Sequence, residues 1–153
     1  MSKHIFIILI TAICAGTAAN VLSPNRLAWS QDWSTRMETL AAKAGLNVVS
    51  LEQVRMHVDT GSAMILDARS LDLYGQGHIP GAFSCPTDDM DHTYPDVASM
   101  LIPDLPVLVY CAGKECEDSM TLGKRLLQDG FTNVLIFVGG YAEWSGAALE
   151  GTP

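Results

Sequence analysis

Apolar positions change their spacing along the chain. From Ile5 to Leu22 the side chains read IFIILITAICAGTAANVL, with no charge among them. That pattern predicts one helix that is apolar on every face. Ser23-Pro24-Asn25 ends it, since Pro and Asn interrupt helices. Trp33 to Ala44 reads as a short amphipathic or linker helix, closed by Gly45. From Val48 onward, strand-length and helix-length patterns alternate. Val48-Val49 is extended. Ser50 with Gln53 forms a capping box for a helix to about Asp59. Met64-Ile65-Leu66 is a strand that ends at Asp67. Ser70 to Tyr74 predicts one helical turn, and Gly75 to Gly81 is turn chemistry throughout. Ala82 to Ser84 is a further short strand. Asp88 to Tyr94 is polar and acidic, which predicts a surface loop. Val97 to Ile102 has helical spacing and stops at Pro103. A Val107–Tyr110 strand, a helix from Met120 to Gln128, a Val134–Val138 strand and a last helical turn through Trp144 follow.

Strands that are apolar at every position, separated by helices, imply a parallel sheet covered on both faces. The expected fold is therefore α/β, a three-layer arrangement with a central parallel sheet, preceded by an apolar helix. Sites in such sheets form beyond the carboxyl ends of the strands. Asp67-Ala68-Arg69 and Cys111 both follow such ends, so they can share one site. The expected organisation is a membrane anchor or signal peptide over 1–22, a linker with a short helix over 23–46, and one domain over 47–153.

Composition narrows the chemistry. The 153 residues carry 9 Lys and Arg against 17 Asp and Glu, a net charge of −8. No basic stripe exists to meet phosphates, which argues against a nucleic-acid partner. Four cysteines are too few for a disulfide scaffold at this length. No Cys-x-x-Cys pair occurs and the histidines are scattered, so no metal site and no cofactor are expected. Gly139-Gly140 lacks the remainder of a phosphate loop. The Ile5–Leu22 segment spans about 27 Å as a helix, close to a bilayer's hydrocarbon thickness. It is either an uncleaved anchor or a signal peptide cut after Ala18 or Ala19, where small residues cluster. Lys3 precedes it; Arg26, Trp29 and Trp33 follow at interfacial positions. The membrane is thus an expected partner through residues 5–22. The chain is expected to be anchored or exported, with its domain extracytoplasmic or periplasmic. The alternative is the cytoplasmic face.

The residue that carries most chemistry is Cys111, in the stretch Cys111-Ala112-Gly113-Lys114-Glu115-Cys116-Glu117-Asp118-Ser119. A thiol after a strand and before a helix sits where backbone N–H groups and the helix dipole stabilise a thiolate. Around it stand Leu66-Asp67-Ala68-Arg69, Tyr74 with Gly77-His78-Ile79-Pro80-Gly81-Ala82, Val109-Tyr110-Cys111, Gly130-Phe131-x-x-Val134, and Gly139-Gly140-x-x-x-Trp144. In this order and approximate spacing they resemble a rhodanese domain, over about Val48 to Pro153. The resemblance implies sulfurtransferase chemistry. A cysteine accepts sulfane sulfur as a persulfide from a donor and passes it to a thiol acceptor or cyanide. Carried over by position, Cys111 is the nucleophile and Ala112, Gly113, Lys114, Glu115 and Glu117 belong to the loop that cradles it. Asp67, Arg69 and His78 support the site. An anionic persulfide needs donors rather than a general base, and His78 is expected to be a backbone-bonded structural residue.

The chain departs from the family pattern at the loop, which runs longer than the common one. Position 117 is Glu, where the related arsenate reductases and dual-specificity phosphatases need an arginine for oxyanions. Glu115, Glu117 and Asp118 outnumber Lys114; acids near a thiol raise its pKa and repel thiosulfate. Asp118 or Ser119 is expected to cap the following helix. Cys116 is open between two roles: closing on Cys111 or relieving it of sulfur, and a small buried residue at the helix start. Cys85 is expected in the core, as are Met56, Met64, Met100 and Met120. Trp144 and Tyr141 are expected to pack on the sheet. Three functions are compatible with these residues: a persulfide-carrying sulfurtransferase, a thiol redox protein cycling a Cys111–Cys116 disulfide, and a non-catalytic binding or sensing module.

Overall fold

The computed structural model describes residues 2–23 and 33–150. The predicted break at Pro24-Asn25 and the flanking residues Arg26 and Trp29 lie outside the described residues. So does the side chain of Trp33. The chain divides into two units, 1–31 and 32–153.

The first unit holds helix α1 (Ser2–Leu22). Among the described residues it is the one helix long and apolar enough to cross a membrane, over Lys3–Leu22. Two of its polar side chains turn back onto the helix: Thr11 Oγ1 donates to the carbonyls of Ile7 and Ile8 at 3.0 Å, and Thr17 Oγ1 to that of Cys14 at 2.9 Å. Ile5, Phe6, Ile7, Ile8, Leu9, Ile10 and Ile13 present apolar side chains outward, the kind of surface a helix in lipid needs.

The second unit is built on a five-stranded sheet. Its strands are β1 (Asn47–Val48), β2 (Met64–Asp67), β3 (Ala82–Ser84), β4 (Val107–Tyr110) and β5 (Val134–Phe137). The order is β1-β5-β4-β2-β3, and every pairing is parallel. Helices α2 (Trp33–Lys43), α3 (Leu51–Thr60), α4 (Leu71–Gln76), α5 (Met90–Met100), α6 (Asp118–Gln128) and α7 (Gly140–Glu150) supply the crossovers and flanks. The strand period explains the unbroken apolar runs. Val107 and Val109 enter one core with Met37, Tyr94, Leu122 and Leu126, while Leu108 and Tyr110 enter the other with Val54, Ile79 and Phe137. A central strand with helices on both faces has no polar side. The α/β expectation holds.

The capping box at α3 is present: Ser50 N–H donates to Gln53 Oε1 at 2.9 Å, and Gln53 N–H to Ser50 Oγ at 3.4 Å. Other local expectations change. Asp88 to Tyr94 is not a loop: a 3-10 turn (Thr87–Asp89) runs into α5, which starts at Met90. Tyr94, Val97 and Leu101 are buried, and their three- and four-residue spacing carries the helix through the acids and Pro95. The turn chemistry starts later than predicted, because Gly75 and Gln76 finish α4. The last helix extends well past Trp144. Met56 and Met100 are exposed, unlike Met120, which is buried. Met56 lies off its helix's buried face, two residues from Val54, and Met100 is the last residue of α5. Cys85 is fully buried, as expected.

Candidate active site

Registry brings the carboxyl ends of the central strands level: Asp67 pairs with Tyr110 across β2 and β4, and Tyr110 with Phe137 across β4 and β5. Whatever follows Asp67 and Tyr110 therefore meets at one edge.

Behind that edge lies a buried polar knot. The Asp67 carboxylate has no solvent exposure. Its Oδ1 accepts from the Arg69 amide at 2.9 Å and from Arg69 Nε at 3.0 Å. Its Oδ2 accepts from Arg69 Nη2 and from the Tyr110 hydroxyl, both at 2.6 Å. Tyr110 Oη in turn accepts from the Ile79 amide at 3.1 Å, and Arg69 Nη2 also donates to Gly77 O at 2.7 Å. The guanidinium lies 4.1 Å from the Tyr141 ring centroid, a cation–π contact. Burial disfavours the Arg69 charge, but hydrogen bonding to Asp67 and its charge outweigh that and raise the pKa. Burial, then the hydrogen bond to Asp67, raises the Tyr110 phenol as well, so it stays a donor. Buried charges persist only where paired and hydrogen-bonded in this way.

The cysteine loop is seated by residues far downstream. The first amides of α7 have no partners within their own helix. Two of them take the loop's carbonyls: Tyr141 N–H donates to Cys111 O at 2.8 Å, and Ala142 N–H to Ala112 O at 2.9 Å. Gly140 makes this approach feasible. Its φ is +60°, and a Cβ there would overlap Cys111 O and the Gly113 amide.

Cys111 is buried and Cys116 half-buried, and the two are joined by a disulfide with Cα atoms 6.2 Å apart. Asp118 is not a cap: Glu117 occupies the N-cap position of α6, with no side-chain capping bond. The Asp118 carboxylate instead faces the sulfurs, with Oδ2 at 3.3 Å from Cys116 Sγ and 3.5 Å from Cys111 Sγ. The open cleft above them has a volume of about 530 Å³, with Arg69, Leu73, Asp88, Cys111, Cys116 and Asp118 in its lining. Among the described residues its one lining cation is Arg69, already engaged by Asp67, so the lining carboxylates set its sign.

Of the residues singled out from sequence, Cys111, Ala112, Cys116 and Arg69 line the cleft together. Gly113, Lys114, Glu115 and Glu117 do not line it with the disulfide closed. Asp67 lies behind it. His78 is exposed and held by its own turn: Nδ1 lies 3.1 Å from Tyr74 O, and its ring stacks on Tyr74 at 3.9 Å. Tyr110 and Tyr141 were not foreseen as partners of the Asp67–Arg69 pair; Tyr110 immediately precedes Cys111, and that adjacency was the available signal. Cys111, Cys116 and Asp118 also form the group whose ligand-type atoms gather within 4.8 Å. Closed as a disulfide, the sulfurs offer no thiolate to a metal.

Residues 50–147 match the Rhodanese-like domain. The human thiosulfate:glutathione sulfurtransferase is 31% identical over 114 residues, which covers 66% of this chain and 95% of that protein. A tRNA uridine(34) hydroxylase from Photorhabdus laumondii is 32% identical over 102 residues, covering 65% of this chain. The chain spans only 28% of that longer protein. A Bacillus halodurans protein of known crystal structure superposes with a TM-score of 0.61 at 21% identity, covering 74% of this chain and 81% of its own. At that identity it speaks for the fold.

Proposed function

The chain belongs to the rhodanese-like domain family, and from that premise we propose that it is a sulfurtransferase carrying sulfane sulfur as a persulfide on Cys111. The observation that carries this reading is the position of Cys111. It follows β4 directly, opens on the cleft, and stands close before the N-terminus of α6. Sulfur arrives when the Cys111 thiolate attacks the terminal sulfur of a donor, whose thiolate leaves. It departs when an acceptor thiolate attacks the persulfide's outer sulfur. Arg69 and Asp67 hold the floor of the cleft without entering the chemistry, and α7 fixes the loop's carbonyls.

The carboxylates of Asp88 and Asp118 select against a small dianionic donor such as thiosulfate. A small-molecule persulfide, a polysulfide or a protein persulfide fits this lining better as donor, and a thiol of the glutathione type suits the acceptor role. The apolar helix over Lys3–Leu22 supports the reading of a domain held at a membrane by an anchor or exported behind a signal, outside the cytoplasm in the reading we favour.

A second reading is favoured by the disulfide itself: a thiol redox protein that cycles Cys111 and Cys116. One measurement separates the two. The reduced full chain is treated with a persulfide donor or with thiosulfate, and its mass is read. A sulfur atom added on Cys111 by the persulfide donor, and much less by thiosulfate, supports the sulfurtransferase. Disulfide formation with oxidants but no sulfur uptake in wild type or Cys116→Ser overturns it.

A further inference from the structure

We propose that this domain resolves its own persulfide. Cys116 attacks Cys111, expels the carried sulfur as hydrosulfide and leaves the Cys111–Cys116 disulfide, with Asp118 moving the proton. This rests on reading Cys111 as a persulfide carrier, and it adds a sulfide-releasing activity to that reading.

The geometry supplies each part. A Cys111 persulfide has two sulfurs open to attack. Attack on the outer one passes sulfur to the acceptor; attack on the inner one, Cys111 Sγ, yields a disulfide. The structure contains the product of the inner attack, the bond between Cys111 Sγ and Cys116 Sγ. Cys116 therefore reaches the inner sulfur along the loop path that α7 fixes through Cys111 O and Ala112 O. A further loop bond, Cys116 N–H to Gly113 O at 3.0 Å, turns the chain back on itself and presents the second cysteine to the first.

Asp118 is the third part. A carboxylate beside an anionic persulfide disfavours that anion, which opposes storage of sulfur. The same carboxylate lies within hydrogen-bonding reach of both sulfurs, at 3.3 Å and 3.5 Å. In the reduced state Asp118 Oδ2 accepts the Cys116 S–H proton as Cys116 becomes the nucleophile. That proton is needed elsewhere. A persulfide anion would otherwise expel its terminal sulfur as a bare dianion.

The step balances as follows. The Cys116 Sγ–Cys111 Sγ bond forms and the bond from Cys111 Sγ to the carried sulfur breaks. The electron pair of the broken bond leaves with the carried sulfur, which takes up the Cys116 proton through Asp118 and departs as hydrosulfide. The carried sulfur is reduced, and the two cysteines are oxidised together. An external thiol or dithiol then reduces the disulfide by exchange and is itself oxidised to a disulfide.

The test is a single turnover. The full chain, held in detergent, is reduced, freed of reductant and given one equivalent of glutathione persulfide. Free sulfide and the mass of the chain are followed with no thiol or cyanide added. The expected result is stoichiometric sulfide with a Cys111–Cys116 disulfide. Cys116→Ser accumulates the persulfide and releases no sulfide. Asp118→Asn slows sulfide release by about a hundredfold or more, and Asp118→Glu restores most of it. Release that is unchanged in Cys116→Ser, or in both Asp118 variants, overturns the proposal. A stable persulfide in wild type and Cys116→Ser alike defeats this inference and leaves the carrier reading standing. Failure of both proteins to take up sulfur defeats the two together.

Discussion

At the carboxyl end of β2, Asp67 and Arg69 are locked to one another by a bidentate ion pair out of solvent, with Tyr110, Gly77 and Tyr141 closing the remaining contacts. At the carboxyl end of β4, one strand away, Cys111 and Cys116 are locked by a covalent bond that any competent thiol can open. The two ends are level in the sheet and border one cleft. One is secured by a buried, hydrogen-bonded ion pair. The other is secured by a bond whose existence depends on redox state. The contrast separates duties: the β2 end holds shape so that the β4 end can change chemistry without losing the fold.

Three measurements press on that contrast. The largest effect is expected at the β2 end. Asp67→Ala strands a buried guanidinium and should destabilise the domain by about 3–5 kcal/mol, read from denaturant unfolding with the disulfide either closed or open. A loss below about 1 kcal/mol, the range of an exposed pair, would remove the ion pair from its structural role.

The next effect is alkaline. Burial pushes the Cys85 thiol from 9.0 up to about 11, against a hydrogen bond with Thr93 that pulls it down. Cys85 N–H is tied to Asp67 O at 2.8 Å, so this thiol sits under the rigid end. The folded state prefers the neutral thiol. Its contribution is full below pH 9 and is lost as pH rises through about 11, a loss of about 2–3 kcal/mol. Unfolding curves across that range should decline more steeply in wild type than in Cys85→Ala, whose remaining loss comes from the buried phenols of Tyr94 and Tyr110. Equal declines would mean that another group titrates.

The smallest effect is expected at the β4 end. The disulfide closes a short loop, and loop entropy gives it about 2 kcal/mol. Reduction should lower the unfolding midpoint modestly and leave the domain folded, with native circular dichroism. Unfolding on reduction would make the bond a structural staple and collapse the distinction between the two ends.

The sequence made some of this readable. β2 and β4 announce themselves as apolar runs ending in Asp67 and Tyr110, because central parallel strands are covered on both faces. The capping box at Ser50 and Gln53 is a local signal and was legible for that reason. α5 was not. Its buried residues Tyr94 and Val97 are separated by Pro95 and Asp96, and only tertiary burial shows that they form one stripe with Leu101 at its C-cap. The place of Cys111 at the carboxyl end of β4 and on the cleft was legible from the strand before it and the motifs around it. The position of the Asp118 carboxylate was not, since an Asp at a helix start fits a cap by every local rule. Its carboxylate meets the sulfurs because the loop takes a path fixed by Tyr141 and Ala142, which no local window contains. Cys116 illustrates the same limit: spacing left its pairing open, and three-dimensional closure decided it.

The seating of Cys111 O and Ala112 O on the first amides of α7 also sets an order of events during synthesis. Both cysteines leave the ribosome before Gly140, Tyr141 and Ala142 do, so the growing chain carries its two thiols for a time with the cradle unbuilt. The seat for the loop carbonyls is complete only when α7 docks. Shortening the chain ahead of Gly140 would leave the cysteines, the acids and the strands in place, yet produce an unfinished site.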